Sequence, residues 1–248
     1  MPSKLFLLLP PSEGKEVGGA KVRDDGFFSN ALADQRRTVI SQVKDVLENS
    51  KPILLEKVFG VRGPLLERAI ESMTQLVEGR APVLPAHQRY RGVVWSHLEP
   101  STLSNSERKQ IMIPSGLYGV TTAEDLIADY RLKMNISLGG LGNIAKFWQP
   151  SVSKVLGEFV SGSVVVNLLP KEHEGAINFE YLAEVAELVT IQFVDANGSK
   201  AVGHAAKAVK GIVARELLTN GLGGLAGFHW RGWKAKKKSG IWRIAAPK

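Results

Sequence analysis

A loop that follows the first predicted strand carries three side chains able to do chemistry. The apolar run Lys4–Leu9 stops at Pro10-Pro11, as expected of a buried strand. Beyond the prolines, Ser12, Glu13 and Lys15 offer a hydroxyl, a carboxylate and a cation. Loops at the carboxyl ends of strands hold ligand sites in α/β folds. An ordinary loop explains the pattern too, because the G-x-x-x-x-G-K-[ST] phosphate loop is absent.

A second candidate segment, Ser115–Val120, follows the predicted strand Lys109–Pro114. Gly116 permits either an unusual backbone or the close approach of a ligand. Farther along, Tyr130 has a ring suited to stacking on a base, and Arg131 has a guanidinium suited to a phosphate. A structural turn with an Asp–Arg pair is the alternative. The candidate ligand-binding residues are Ser12, Lys15, Ser115, Gly116, Tyr118, Tyr130 and Arg131.

The positive charge of the chain is concentrated near its end. The net charge is +8, whereas residues 200–248 hold eleven basic residues and one acid. Such a region suits a polyanion such as DNA, with contacts mainly to the phosphate backbone, or else it is a solvated basic tail. The predicted helix Ala205–Leu218 contributes part of this charge. The candidate nucleic-acid contacts are Lys207, Lys210, Arg215, Arg231, Lys234, Lys236, Lys237 and Lys238.

A glycine-containing segment, Lys57–Gly63, joins two apolar helical pieces inside a helical subregion that spans about residues 38–78. It resembles a helix-hairpin-helix, in which backbone N–H groups approach a phosphate. The usual hairpin has one residue between its glycines, and this one has two. An ordinary helix–helix turn explains the segment equally well.

Several classes of site are excluded by composition. The chain has no cysteine, so it has no disulfide, thiolate nucleophile or cysteine-ligated metal centre. Its five histidines follow no metal-ligand spacing, so we predict no metal and no cofactor. The sequence also lacks an apolar run long enough for a signal peptide or a membrane span. We therefore expect a cytoplasmic protein with no membrane partner.

The pattern of elements predicts one mixed α/β domain, residues 1–248, with a central mixed sheet flanked by helices and a possible helix-hairpin-helix-like insertion. Helical spacing indicates helices near Thr38–Glu48 and Ile144–Phe159, and β-branched runs indicate strands at Val164–Leu169 and Thr190–Val194. We also predict a strand over Tyr90–His97, a short helix over Thr122–Asp129, and one or two closing strands within Trp230–Pro247.

In their order along the chain, these segments resemble the YaaA-like peroxide stress protein family. The resemblance is carried by Leu7–Lys15, by Ile113–Arg131, by Lys146–Trp148, by the V-V-N-L run with Glu172, and by a D-x-N-G element followed by K-x-x-K-G-x-x-x-R. Two positions depart from the family pattern: His173 replaces a tyrosine, and Ala208 replaces a lysine. The resemblance implies a bacterial protein that helps cells survive hydrogen peroxide, limits free iron and protects DNA by binding it.

Two functions follow as hypotheses. The first is a DNA-binding protein of the peroxide response. The second is an enzyme that acts on a nucleotide or nucleobase in the manner of a glycosylase or lyase, with Lys15 forming a Schiff base and Glu13 or Glu172 moving protons. The enzymatic hypothesis requires Lys15, Glu172 and Lys207 or Lys210 to meet in one cleft. Direct iron storage is disfavoured, because the chain has no E-x-x-H pair.

Overall fold

The computed structural model describes residues 4–21 and 26–247. Lys248, counted above in the basic region, lies outside these residues. Within them the strands are β1 (Leu5–Leu8), β2 (Gly14–Lys15), β3 (Val83–Pro85), β4 (Tyr90–Arg91), β5 (Ile111–Ser115), β6 (Gly119–Thr122), β7 (Leu126–Ala128), β8 (Val164–Asn167), β9 (Glu187–Val194), β10 (His229–Trp230), β11 (Trp233–Lys238) and β12 (Ile241–Ala245).

The α-helices in the same ranges are α1 (Ser29–Asn49), α2 (Pro52–Phe59), α3 (Pro64–Val77), α4 (Ala86–Arg89), α5 (Val93–Leu98), α6 (Asn105–Arg108), α7 (Ile144–Val160), α8 (Lys171–Glu174), α9 (Phe179–Val185) and α10 (Gly203–Asn220). Short 3-10 helices occupy Pro100–Thr102, Gly139–Leu141 and Leu222–Leu225. None of the helices described here is long and apolar enough to cross a membrane.

Eight strands form the central sheet in the order β10-β11-β12-β9-β8-β1-β5-β6. Strand β1 is parallel to both of its neighbours, β5 and β8, whereas antiparallel pairs occur at the two ends of the sheet, between β5 and β6 and among β10, β11 and β12. The chain therefore leaves β1 towards one side of the sheet and later returns on the other side. A point where strand order reverses in this way opens a crevice beyond the carboxyl ends of the strands. The prediction of a single mixed α/β domain is confirmed.

Helices cover the centre of the sheet on both faces, since all four residues of β8 are buried. Phe6 of β1 packs against Phe159 of α7, with their ring centres 5.0 Å apart. Helices α5 and α10 pack closely, and a Cβ added at Gly211 would lie 2.3 Å from the backbone oxygen of Val94. Gly211 therefore serves helix packing.

Two of the predicted elements are wrong. Only Tyr90 and Arg91 form a strand, and the helix α5 follows Gly92, whose φ of 143° redirects the chain. Packing on α10 outweighs the strand preference of the β-branched pair at the start of α5. The expected helix over Thr122–Asp129 is instead the end of β6, a turn and the strand β7. There the Asp125 carboxylate accepts hydrogen bonds from the backbone N and the Oγ1 of Thr122, at 3.0 and 2.7 Å.

Candidate functional site

A cleft with a volume of about 550 Å³ opens at the carboxyl ends of β1, β5 and β8. The loop Pro10–Lys15 lines it after β1, Gly116 after β5, and Pro170 with Glu172 and His173 after β8. The cleft therefore occupies the crevice where the strand order reverses. Its volume is typical of small-molecule sites, which measure roughly 300–1,000 Å³.

Most of the sequence-predicted ligand residues meet in this cleft. Lys15, Glu172, Lys207 and Lys210 all line it, which is the convergence that the enzymatic hypothesis requires. The other predicted residues in its walls are Ser12, Glu13, Gly116, Tyr130 and Arg131. These residues come from segments far apart in the sequence, so the fold and not local spacing assembles the site.

The amine of Lys15 packs against the aromatic rings of two tyrosines. Its Nζ lies 4.3 Å from the centre of the Tyr130 ring and 5.6 Å from that of Tyr90, and it donates a hydrogen bond to the backbone oxygen of Ser12 at 2.9 Å. Burial lowers the pKa of Lys15 to about 7, against the opposing effect of Asp129. About half of the Lys15 amines are therefore neutral, and so nucleophilic, near pH 7.

Hydrogen bonds fix the tyrosine that lies beneath this amine. The Tyr130 hydroxyl accepts a bond from Ser115 Oγ at 2.8 Å and shares another with the Tyr90 hydroxyl at 2.9 Å. Burial raises the pKa of Tyr130 to about 12, so the phenol stays neutral. Tyr118 lies in the same cluster and accepts a bond from the backbone N of Ala128 at 3.0 Å. Ser115 and Tyr118, both predicted as ligand residues, thus stand behind the cleft wall and support Tyr130.

Glu13 joins the first loop to the segment that follows Tyr130. Its carboxylate lies 2.8 Å from Lys133 Nζ and 3.3 Å from Arg131 Nη2. Burial raises the pKa of Glu13, but Lys133, Arg131 and Lys15 lower it by more, so the carboxyl is ionised at neutral pH. The segment that contains Leu132 passes close to Gly116. A Cβ at Gly116 would lie only 2.6 Å from the backbone oxygen of Leu132, so a larger residue would not fit. Glu13 therefore anchors the loop, and it is a poor proton donor.

Glu172, the other carboxylate in the cleft, makes fewer ion pairs than Glu13. Its Oε1 lies 3.7 Å from Nε2 of His173. Burial lowers the pKa of His173, although Glu172 raises it, so the imidazole is neutral at pH 7. Among the described residues, Nδ1 of His173 and Nε of Arg131 are buried with no hydrogen-bond partner. Both residues line the cleft, although these two nitrogen atoms themselves have almost no solvent-accessible surface.

Sequence reasoning missed several residues of the cleft. Arg91 enters because β4 pairs with β2, which places it opposite Gly14. Lys133 and Asn135 follow Arg131 at alternate positions of the segment after Tyr130. Alternate residues of an extended segment point the same way, so this spacing could have predicted that all three face the cleft. Lys133 also touches the glycine hairpin, since a Cβ at Gly60 would lie 3.1 Å from its Cε. The hairpin between α2 and α3 therefore adjoins the rim of the cleft.

The remaining basic candidates lie outside the cleft. Arg215 donates from Nη1 to the Leu98 oxygen at 3.1 Å and to Thr102 Oγ1 at 2.6 Å, so it ties α10 to the end of α5. Arg231 and the lysines of β11 line no part of the cleft. Lys234, Lys236 and Lys238 share one exposed face of β11, and Lys237 lies over the Trp242 ring on the other. No group of three or more metal-ligating side chains occurs in the part of the chain that the structure describes.

Comparison with known proteins places the chain in a family. A family model described as peroxide stress protein YaaA matches residues 5–239. The chain belongs to this family. A UPF0246 protein of Streptomyces coelicolor is 28% identical over 88% of this chain and 84% of its own length. A UPF0246 protein of Corynebacterium glutamicum is 32% identical over 86% of this chain and 84% of its own length.

The two departures from the YaaA pattern fall in different surroundings. Ala208 is 3% exposed, so it lies on the side of α10 that faces the core. His173 lines the cleft beside Glu172.

Proposed function

We propose that this YaaA-family protein binds DNA during peroxide stress and takes one nucleotide that has left the base stack into its cleft. One observation carries the proposal: cations from three separate segments surround a cleft of nucleotide-compatible size. They are Arg91, the pair Arg131 and Lys133, and the pair Lys207 and Lys210. Such a cluster attracts phosphate groups irrespective of sequence.

The position of the glycine hairpin supports this proposal. Its Gly60 packs on Lys133, which itself lines the cleft. Backbone N–H groups near such a hairpin contact phosphates in many DNA-binding proteins. A duplex held at the hairpin would therefore run past the mouth of the cleft. Extruding a nucleotide costs a few kcal/mol, and least where the duplex is already damaged.

Salt dependence tests the DNA-binding proposal. We expect the logarithm of affinity for a labelled duplex to fall linearly with the logarithm of salt concentration, by about 0.9 per phosphate contacted. The cleft variant K133Q/K207Q should show a shallower slope. The β11 variant K236Q/K238Q removes the same charge from an exposed strand outside the cleft. In the wild-type protein, Lys236 and Lys238 are predicted to contact the DNA that flanks the cleft. A slope near zero in the wild-type protein would refute the proposal.

Lys15 supports a second candidate function, that of a lyase acting on an abasic site. The neutral Lys15 amine would attack the aldehyde carbon of the open-ring sugar, forming a C–N bond and releasing the oxygen as water to leave a protonated imine. Glu172 would then take a proton from the neighbouring carbon, and the C–O bond to the 3′ phosphate would break. The lowered pKa of Lys15 and the presence of Glu172 in the walls of the same cleft favour this chemistry.

Borohydride trapping tests the lyase candidate, because reduction turns the imine into a stable covalent adduct. We expect an adduct between the wild-type protein and an abasic duplex, none with Lys15→Ala, and an adduct with Lys133→Gln, which keeps the amine. The absence of a wild-type adduct, or an undiminished adduct with Lys15→Ala, would exclude the candidate. The family resemblance also implies lower free iron. We propose that this effect is indirect, because the sequence has no E-x-x-H pair for a di-iron site.

A further inference from the structure

A second cavity lies on the other side of Lys207 and Lys210. Its volume is about 580 Å³, and it opens beyond the carboxyl ends of β8 and β9, beside the start of α10. Lys207 and Lys210 line both this cavity and the cleft, so the two spaces share one wall. Nothing in the function proposed above uses the second cavity.

The cavity gathers four lysines and one acid, so its walls carry an excess of positive charge. Lys171 of α8 and Lys200 of the β9–α10 loop join the two shared lysines in its walls. None of these four lysines lies within 4 Å of a carboxylate in the described ranges, where the ion pairs involve other residues. The acid at this place, Glu174, accepts a hydrogen bond from Asn167 at 3.0 Å. Like charges held together without partners raise the energy of the free protein, and a bound anion lowers it.

The turn that presents Lys200 is held in place. The Asp195 carboxylate accepts hydrogen bonds from the backbone N of Asn197 and of Ser199, each at 2.9 Å. The backbone N of Ala201 then donates to the Phe193 oxygen at 2.9 Å. Lys200 therefore extends from an ordered turn. The ordered backbone of this turn loses little freedom when the exposed Lys200 side chain binds a ligand.

Lys210 forms the partition between the two spaces. Its Nζ donates to the Leu168 oxygen at 2.6 Å and lies 5.4 Å from the centre of the Phe193 ring. Burial and then Lys200 lower the pKa of Lys210 to about 8, against the opposing effects of Glu174 and Glu172. An anion in the second cavity would favour the charged form of this amine. The aromatic ring and the side chains of Thr190 and Gln192 add apolar and polar surface for the rest of a ligand.

We propose that the second cavity is a binding site for a phosphate ester, and that it continues the cleft across Lys207 and Lys210. The ester is either the next nucleotide of a strand already in the cleft, which rests on the function proposed above, or a free nucleotide. In both cases Lys171 and Lys200 hold the phosphate. The backbone N–H groups at the start of α10, which has no side-chain cap, face the same end of the cavity.

Backbone amide shifts of Gly198 and Gly203, which line only the second cavity, test this proposal. The probes are deoxyadenosine 5′-monophosphate and a 5′-phosphorylated trinucleotide. We expect shifts in the wild-type protein and at least tenfold weaker binding at this cavity in K171Q/K200Q. The matched control is R91Q/K133Q, which removes two charges from the cleft alone.

Each outcome of this experiment has one meaning. Shifts with both probes that survive in R91Q/K133Q identify a free nucleotide as the ligand. Shifts with the trinucleotide alone that weaken in both variants identify the adjoining nucleotide of a strand. Absent shifts, or shifts that persist in K171Q/K200Q, overturn the second site. The proposed DNA binding fails separately, through loss of the wild-type salt dependence.

Discussion

The amine of Lys15 lies 4.3 Å from the centre of the Tyr130 ring, in a cleft whose walls also hold two carboxylates and five further Lys or Arg side chains. Burial lowers its pKa to about 7. An ordinary lysine has a pKa of about 10.4. The environment of this one amine therefore gives the cleft a candidate nucleophile.

The first prediction concerns the reactivity of Lys15 towards a small acetylating reagent. Below pH 7 the amine is protonated and unreactive, and above pH 7 it is neutral, so its labelling rate should rise with a midpoint near pH 7. Peptide mapping by mass spectrometry measures the rate at this residue. The same peptide in the urea-unfolded chain is the control, with a midpoint near 10. A folded-state midpoint above 9 would contradict the account.

The second prediction concerns the bond between the Tyr90 and Tyr130 hydroxyls. Tyr130→Phe leaves buried polar atoms unpaired, so we expect it to lower the free energy of unfolding by about 1–3 kcal/mol. Tyr90→Phe should have a similar effect. Because both changes break the same bond, the double variant should lose less than the sum of the two. Urea unfolding measures all three values, and simple additivity would show that the pair is not coupled.

The third prediction separates the two carboxylates of the cleft. Glu13→Gln should cost less than about 1 kcal/mol of stability, because the Glu13 side chain is 61% exposed and its ion pairs are screened. It frees Lys133 and Arg131, so DNA affinity should rise a few-fold. Glu187→Gln removes the same charge outside the cleft and is the control. Weaker DNA binding by Glu13→Gln than by this control would contradict the prediction that Lys133 and Arg131 contact DNA.

If the cleft is catalytic, the same pair of carboxylates should differ in the reaction. Glu172→Gln should slow strand cleavage at an abasic site while the borohydride adduct with Lys15 still forms, because elimination needs the base and imine formation needs the amine. Glu13→Gln should leave cleavage largely intact. Cleavage unaffected by Glu172→Gln would remove Glu172 from the proton-transfer step.

The fourth prediction assigns Arg215 to the fold. Arg215→Met leaves the Leu98 oxygen and Thr102 Oγ1 without their donor, so we expect a loss of about 1–3 kcal/mol in the free energy of unfolding. The salt slope of DNA binding should stay unchanged, since this side chain lies outside the cleft. A shallower slope with full stability would instead support the nucleic-acid contact predicted from the sequence.

The sequence predicted the fold class and much of the site, because short-range patterns dominate there. The apolar run before Pro10 and the β-branched run at Val164 mark buried strands, and the loops after them became the cleft. The strand predicted over Tyr90–His97 was wrong, because the packing of α5 against Gly211 is a long-range contact that no local pattern encodes. Arg91 was missed for the same reason, since only the pairing of β4 with β2 brings it to the cleft.

The role of the basic region also depended on long-range structure. Charge alone could not separate Lys210, which faces the cleft, from Arg215, which binds backbone oxygens only five residues later. Helix α10 places the two in different surroundings, because its other neighbours are α5 and the end of β8. The composition of the region thus predicts a polyanionic partner, whereas the fold decides which of its cations line the cleft.

The central claim is that the cleft accepts a nucleotide outside the base stack, and the most direct test is the ratio of affinities for bubbled and fully paired duplex at one salt concentration. We predict a ratio above one for the wild-type protein, a ratio near one for K133Q/K207Q, and a retained ratio for K236Q/K238Q even if both affinities fall. Equal affinity of the wild-type protein for the two DNAs, or a preference for bubbled DNA that survives in K133Q/K207Q, would contradict the account.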